Sequence, residues 1–166
     1  MPPIRSSSAI ICLNDHPCDT LQEHAMPSLT KSTPAATATA ITILRIIVGV
    51  VFLAHGYQKV FVYGHAGVAQ GFAGMGIPAP DLTAALIAAI ELLGGIALIL
   101  GIGTRIAAGL LAADMLGATL LVHGRNGFFL PTGAEFATTL LGASIALAIA
   151  GAGAASIDGA LARHEA

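Results

Sequence analysis

The sequence predicts an all-α membrane protein, a four-transmembrane-helix bundle, on three observations. Only 10% of its 166 residues are charged while 55% are hydrophobic, the mean hydropathy is +0.83, and the apolar residues collect in four long runs. A soluble domain carries about a quarter of its residues as Asp, Glu, Lys and Arg. With so few charges this chain could not cover a water-facing surface, so lipid is its natural solvent.

The runs cover residues 36–61, 82–100, 105–122 and 135–152. A helix needs about 17–25 residues to cross the hydrocarbon core, and each run approaches or reaches that length. None alternates with period two and all are rich in Ala, Leu and Ile, so helices are expected rather than strands. The breaks carry turn chemistry. Gly76-Ile77-Pro78-Ala79-Pro80-Asp81 ends one loop, with Asp81 the expected N-cap of the next helix. Gly101-Ile102-Gly103-Thr104 makes a tight turn, and Asn126-Gly127 with Pro131-Thr132-Gly133 forms the third loop. Stripes of small residues, Gly109/Ala113/Gly117 on the third run and Gly142/Ala146/Ala150 on the fourth, fit close helix packing and leave a homo-oligomer open.

Three units follow: a polar, aperiodic tail over 1–34 that reads as disordered, a four-helix transmembrane domain over 35–160, and a short tail over 161–166. In the first, Ala9 to Leu13 is too short for a signal-peptide core, and Met26 is a second candidate start. Both cysteines, Cys12 and Cys18, fall in this tail and read as free thiols. The hydrophobic body has no thiol, which argues against a CxxC redox site, a zinc ribbon or an iron–sulfur cluster there. The net charge of -2 and the lack of a basic run argue against nucleic acid as a partner. With four spans, Arg5, Lys31, Arg105 and Arg163 share one side, against Lys59 and Arg125 on the other, so the positive-inside rule puts both termini in the cytoplasm.

Ionisable residues inside apolar spans are the informative ones. Arg45, Glu91 and Asp114 sit on the first, second and third runs, at depths of roughly 12, 15 and 13 Å from the cytoplasmic end at 1.5 Å per residue. A charge there costs about 2.5–3.5 kcal/mol on insertion scales. Arg45 is therefore expected to pair with one carboxylate, leaving the other without a cation. Such an intramembrane charge cluster is either an ion pair that fixes helix register or part of a proton relay or cation site.

A second group lies towards the far side. His55 and Lys59 are four apart and share a helix face. His123 ends the third run, and Asn126 and Glu135 flank the next loop. All six Phe and both Tyr fall on that side, Phe128 and Phe129 among them. An interfacial aromatic belt accounts for this pattern. The alternative is an outer polar and aromatic pocket of His55, Lys59, His123, Asn126, Phe128, Phe129 and Glu135, able to hold a flat lipid-soluble molecule such as a quinone. Two histidines at one level could ligate haem or a metal, but interfacial histidines satisfied by water or an acid are commoner. No metal site and no haem is expected. Glu135 is expected to form a salt bridge with Lys59.

The run from Leu44-Arg45-Ile46 through His55-Gly56-Tyr57-Gln58-Lys59 resembles the opening helix of the DoxX family. Gly76-Ile77-Pro78, Glu91-Leu92-Leu93-Gly94-Gly95, Gly103-Thr104-Arg105, His123-Gly124-Arg125-Asn126-Gly127-Phe128-Phe129, Glu135-Phe136, and Gly151-Ala152-Gly153 with Ser156-Ile157-Asp158 follow in that family's order, over residues 41–160. The resemblance implies a four-helix protein of the bacterial inner membrane. It further implies membership of a quinone-linked oxidoreductase system, since the family's name derives from a thiosulfate:quinone oxidoreductase subunit. Some members associate with redox partner proteins. Asp114 departs from the family pattern, in which an apolar residue is expected.

Three functions remain open at this point: a subunit of a quinone-linked oxidoreductase, a scaffold without activity of its own, and a small proton-coupled transporter using Arg45, Glu91 and Asp114. The lack of repeats and of Pro-broken helices disfavours the third.

Overall fold

The computed structural model describes residues 32–164, and every regular element among them is helical. Most of the expected tail, with Cys12, Cys18 and Met26, lies outside the described residues. Helix α1 (Pro34–Tyr57) starts where Thr33 accepts a hydrogen bond from the Ala36 N–H at 3.2 Å and Pro34 presets the first turn. It runs on through a π-helical segment (Gln58–Tyr63) into α2 (Gly64–Gly74). Helix α3 (Pro80–Leu100) follows, then α4 (Thr104–Gly117), extended by a second π-helical segment (Ala118–His123) and a 3-10 turn (Gly124–Asn126). Helices α5 (Glu135–Ala150) and α6 (Ile157–His164) complete the chain.

Pro34–Gly74, Pro80–Leu100 and Thr104–His123 are long and apolar enough to cross a membrane. Helix α5 is a shorter apolar helix of 16 residues, about 24 Å long. The protein is thus an all-helical membrane protein, with the four long segments that the apolar runs predict. Large apolar side chains such as Ile47, Ile106 and Ile149 point outward, 58%, 74% and 73% exposed, as lipid-facing positions should.

Helix α1 packs chiefly on α3, α3 on α4, and α4 on α5. Their shared core is Val48, Phe52, Leu98, Ala108, Leu111 and Leu147. Three glycines allow α1 and α3 to touch. A Cβ on Gly56 would strike the Leu92 backbone, one on Gly95 would strike Leu53, and one on Gly49 would meet Ile99. The predicted small-residue stripes do not serve this purpose. Gly109, Gly117 and Gly142 have open space where a side chain would be, and Gly109, Ala113, Gly142, Ala146 and Ala150 are exposed.

Helix α2 is an addition to the expected architecture. The chain leaves the π segment at Gly64, whose φ of 69° and ψ of 163° break the helical path. Helix α2 then packs on α3, with Val68 and Ala69 against Ala84 and with Phe72 beside them. Asp81 is not the N-cap of α3. Ala79 holds that position at φ 48°, Pro80 follows it, and Asp81 lies in the first turn facing His65 at 3.6 Å.

Candidate functional site

The intramembrane trio does not form one cluster. Arg45 is buried and donates through Nη2 to the Ala155 carbonyl, far from both carboxylates in the fold. It lies against Gly101, where any side chain would collide with its guanidinium. Glu91 is ten residues before Gly101 and Asp114 ten after Thr104, so both lie about 15 Å from that turn. The expected common depth fails because α1 begins beyond the α3–α4 turn, which puts Arg45 at the level of that turn, against Gly101.

A strap from the C-terminal segment closes that end. Thr42 Oγ1 accepts from the Ala154 N–H at 2.9 Å, and the Asp158 N–H donates to the Gly101 carbonyl at 3.0 Å. The Asp158 carboxylate accepts from the backbone N–H groups of Gly103 (2.9 Å) and Thr104 (3.1 Å), at the start of α4. These two bonds, and more weakly the Arg45 charge, hold its carboxyl below the usual carboxylate range.

At the other end the two predicted groups merge. Lys59 bridges to Glu91 at 2.5 Å rather than to Glu135, with Glu91 3% exposed. Asp114 lies beside the Glu91 carboxyl, and its Oδ2 is buried without a hydrogen-bond partner. Both acids, Lys59, His55 and His123 border one cavity of about 250 Å³. Apart from Thr83 its remaining walls are apolar, with Phe52, Phe72 and Phe136 as the aromatic ones. His55 lies 5.7 Å from Phe136, ring to ring. Lys59 and His123 both sit on the π-helical segments of their helices. The extra residue in such a turn displaces side chains relative to an α-helix, a common device at functional sites.

The other predicted pocket residues have different roles. Asn126 donates to the Thr132 carbonyl at 3.4 Å, as does the His123 ring at Nδ1 (3.1 Å), and Glu135 accepts from the Leu130 N–H at 3.2 Å. These bonds shape the α4–α5 loop. Phe128 and Phe129 pack edge to face at 5.5 Å and are 55% and 78% exposed, outside the cavity. With Tyr57, Phe61 and Tyr63, also exposed, they match the interfacial belt instead. Phe52, Phe72 and Phe136 were in view in the sequence only as members of the one-sided aromatic set. Among the described residues no three His, Cys, Asp or Glu side chains stand together as a metal site would require.

Fold and cavity define a class of protein: a small multi-pass helical membrane protein whose bundle encloses a charged, otherwise apolar chamber. The chain belongs to the DoxX family, whose model matches residues 40–124, just over half of its length. That stretch contains Arg45, His55, Lys59, Glu91, Asp114 and His123. A Bacillus subtilis (strain 168) protein named "Putative oxidoreductase CatD" is 38% identical over 116 residues, 70% of this chain and 82% of the relative. The "Uncharacterized membrane protein Rv3486" of Mycobacterium tuberculosis (strain ATCC 25618 / H37Rv) is 37% identical over 101 residues, 61% of each chain. No solved structure matches the chain.

Proposed function

We propose that this protein is a quinone-binding subunit of a membrane oxidoreductase system, working with a redox partner protein that supplies the electrons. The observation that carries the reading is the cavity: apolar and aromatic walls inside the bundle, about 250 Å³ in volume, ending on Lys59, Glu91, Asp114 and His55. A lipid-soluble ring with carbonyl oxygens needs this combination of apolar walls and a few convergent polar groups. The unmatched Asp114 Oδ2, when protonated, can donate a hydrogen bond to such an oxygen. The name of the Bacillus relative points to the same class of chemistry.

A bound quinone would supply an acceptor for two electrons and two protons. The chain's own residues bind, orient and exchange protons. Lys59 Nζ is held by Glu91 at the polar end, Phe52 and Phe136 flank the ring position, and Phe72 of α2 closes the chamber. The proposed setting is the bacterial inner membrane, with both termini cytoplasmic and the cavity in the outer half of the bundle. Arg105, in the first turn of α4, supports that orientation.

The test is binding of a short-chain ubiquinone and of menadione to the full chain in lipid nanodiscs, read by thermal stabilisation. The expected result is saturable stabilisation by both compounds, weakened at least tenfold by Phe136→Ala. No stabilisation by either would reject the reading and leave the scaffold function in its place.

A further inference from the structure

Two carboxyl groups open on the cavity, and only one of them has a cation. Glu91 holds Lys59 at 2.5 Å. Asp114, on α4, is 8% exposed and lies beside the Glu91 carboxyl, yet its Oδ2 has no hydrogen-bond partner. A buried carboxyl oxygen without a partner is costly, more so inside a membrane, so its retention here calls for a group that satisfies it. The other titratable groups on the chamber are His55 of α1, Lys59 and His123 on the two π segments, and Glu91 of α3. Helices α2 and α5 contribute only apolar side chains, Phe72, Phe136, Ala137 and Leu140 among them.

The chamber also has one polar end only. Towards Arg45 the bundle is filled mainly by Leu98, Leu111 and Leu147, each 0% exposed, with the buried hydroxyls of Thr104 and Ser144 among them. The leucines stand three, seven and four residues from Gly101, Thr104 and Gly151, between Asp114 and the strapped end of the bundle. The cavity therefore offers a proton the open route to Asp114.

We propose that Asp114 is the proton-linked binding residue of this cavity, donating a hydrogen bond from its protonated Oδ2 to a carbonyl oxygen of the ligand. Binding then takes up one proton from the cavity side, and ligand affinity falls as Asp114 ionises. The inference rests on the reading of the chamber as a site for a ring carbonyl compound. Asp114 acts by positioning the ligand and holding one proton, while Lys59 stays committed to Glu91.

The experiment measures the dissociation constant of menadione for the full chain in nanodiscs from acid to alkaline pH. Above the ionisation of Asp114, the wild type should weaken by about tenfold per pH unit, the slope for one linked proton. Asp114→Asn keeps an N–H donor, so it should still bind but lose the slope. His55→Gln should keep the slope. As a measurement independent of any variant, wild-type protein in weak buffer, at a pH above the ionisation of free Asp114, should take up one proton per menadione bound. Proton uptake near zero, or a full slope surviving in Asp114→Asn, would overturn the proposal while leaving a quinone site intact. Tighter binding at higher pH would overturn it too, since that is the behaviour of a cationic ligand on an ionised carboxylate. Absence of menadione binding at every pH would instead remove the quinone reading and this inference together.

Discussion

At the scale of single residues, Lys59 and Glu91 form the closest ion pair among the described residues. Glu91 is 3% exposed and the two side chains meet at 2.5 Å, so removing one partner leaves a buried charge alone. Lys59→Met should destabilise the protein by about 3–5 kcal/mol, and the double variant Lys59→Met/Glu91→Gln should recover a large part of that loss. Unfolding in mild detergent measures both. Asp158 is the second telling residue, since it caps α4 from the far end of the chain. Asp158→Ala should cost about 1 kcal/mol. Its carboxyl is held below the usual range, so this stability is present above about pH 4, the ordinary carboxylate value, and is lost as pH falls through the lower folded value. Melting curves of wild type and variant should therefore converge on acidification. The presence of Glu91 and Asp114 inside spans was legible from their charge alone. Their partners were not, because the long flexible stem of a lysine can reach a carboxylate on a neighbouring helix at a different depth.

At the scale of elements, the α1–α3 contact depends on Gly49, Gly56 and Gly95, where a Cβ would run into the facing helix. Gly56→Ala should cost about 1–3 kcal/mol by forcing the helices apart. Gly109→Ala and Gly142→Ala, at positions with open space around them, should stay within about 0.5 kcal/mol of wild type. Thermal unfolding of the three variants side by side checks the contrast. Small-residue spacing was visible in the sequence on the third and fourth runs, yet it marked faces that this chain leaves uncovered. Spacing shows that a helix has a smooth face, whereas the choice of neighbour depends on how the other helices are arranged around it. The π-helical segments were equally hidden. Nothing in Gln58–Tyr63 or Ala118–His123 as sequence distinguishes them from α-helix, since the wider turn answers packing around the cavity.

At the scale of the whole molecule, the chain has a strapped end and a chambered end. The strap ties α1, the α3–α4 turn and the C-terminal segment together through Thr42, Arg45 and Asp158. Phe72 of α2 forms part of the chamber wall, and His65 of the same helix faces Asp81 at 3.6 Å. The proposed orientation makes a direct prediction. In a background with Cys12 and Cys18 replaced by serine, His65→Cys should react with a membrane-impermeant maleimide added to intact cells, and Ala160→Cys should react only after the membrane is opened. The opposite pattern would invert the topology and place the chamber on the cytoplasmic side.

By itself the sequence determined that this is a helical membrane protein, the approximate limits of its long apolar segments, the family it belongs to and which spans carry charge. Those properties are set by local composition and length, because a bilayer imposes one thickness and one solvent on every span. Only the tertiary structure decided which charges meet. It moved Arg45 away from the acids because α1 begins beyond the α3–α4 turn, and it gave Lys59 to Glu91 and left Asp114 Oδ2 unmatched. It also turned α2 back at Gly64 to pack on α3, with Phe72 in the wall of the chamber. Depth along one helix can be counted from sequence, but the offset between helices follows from how their surfaces interlock, and that is a property of the assembled bundle.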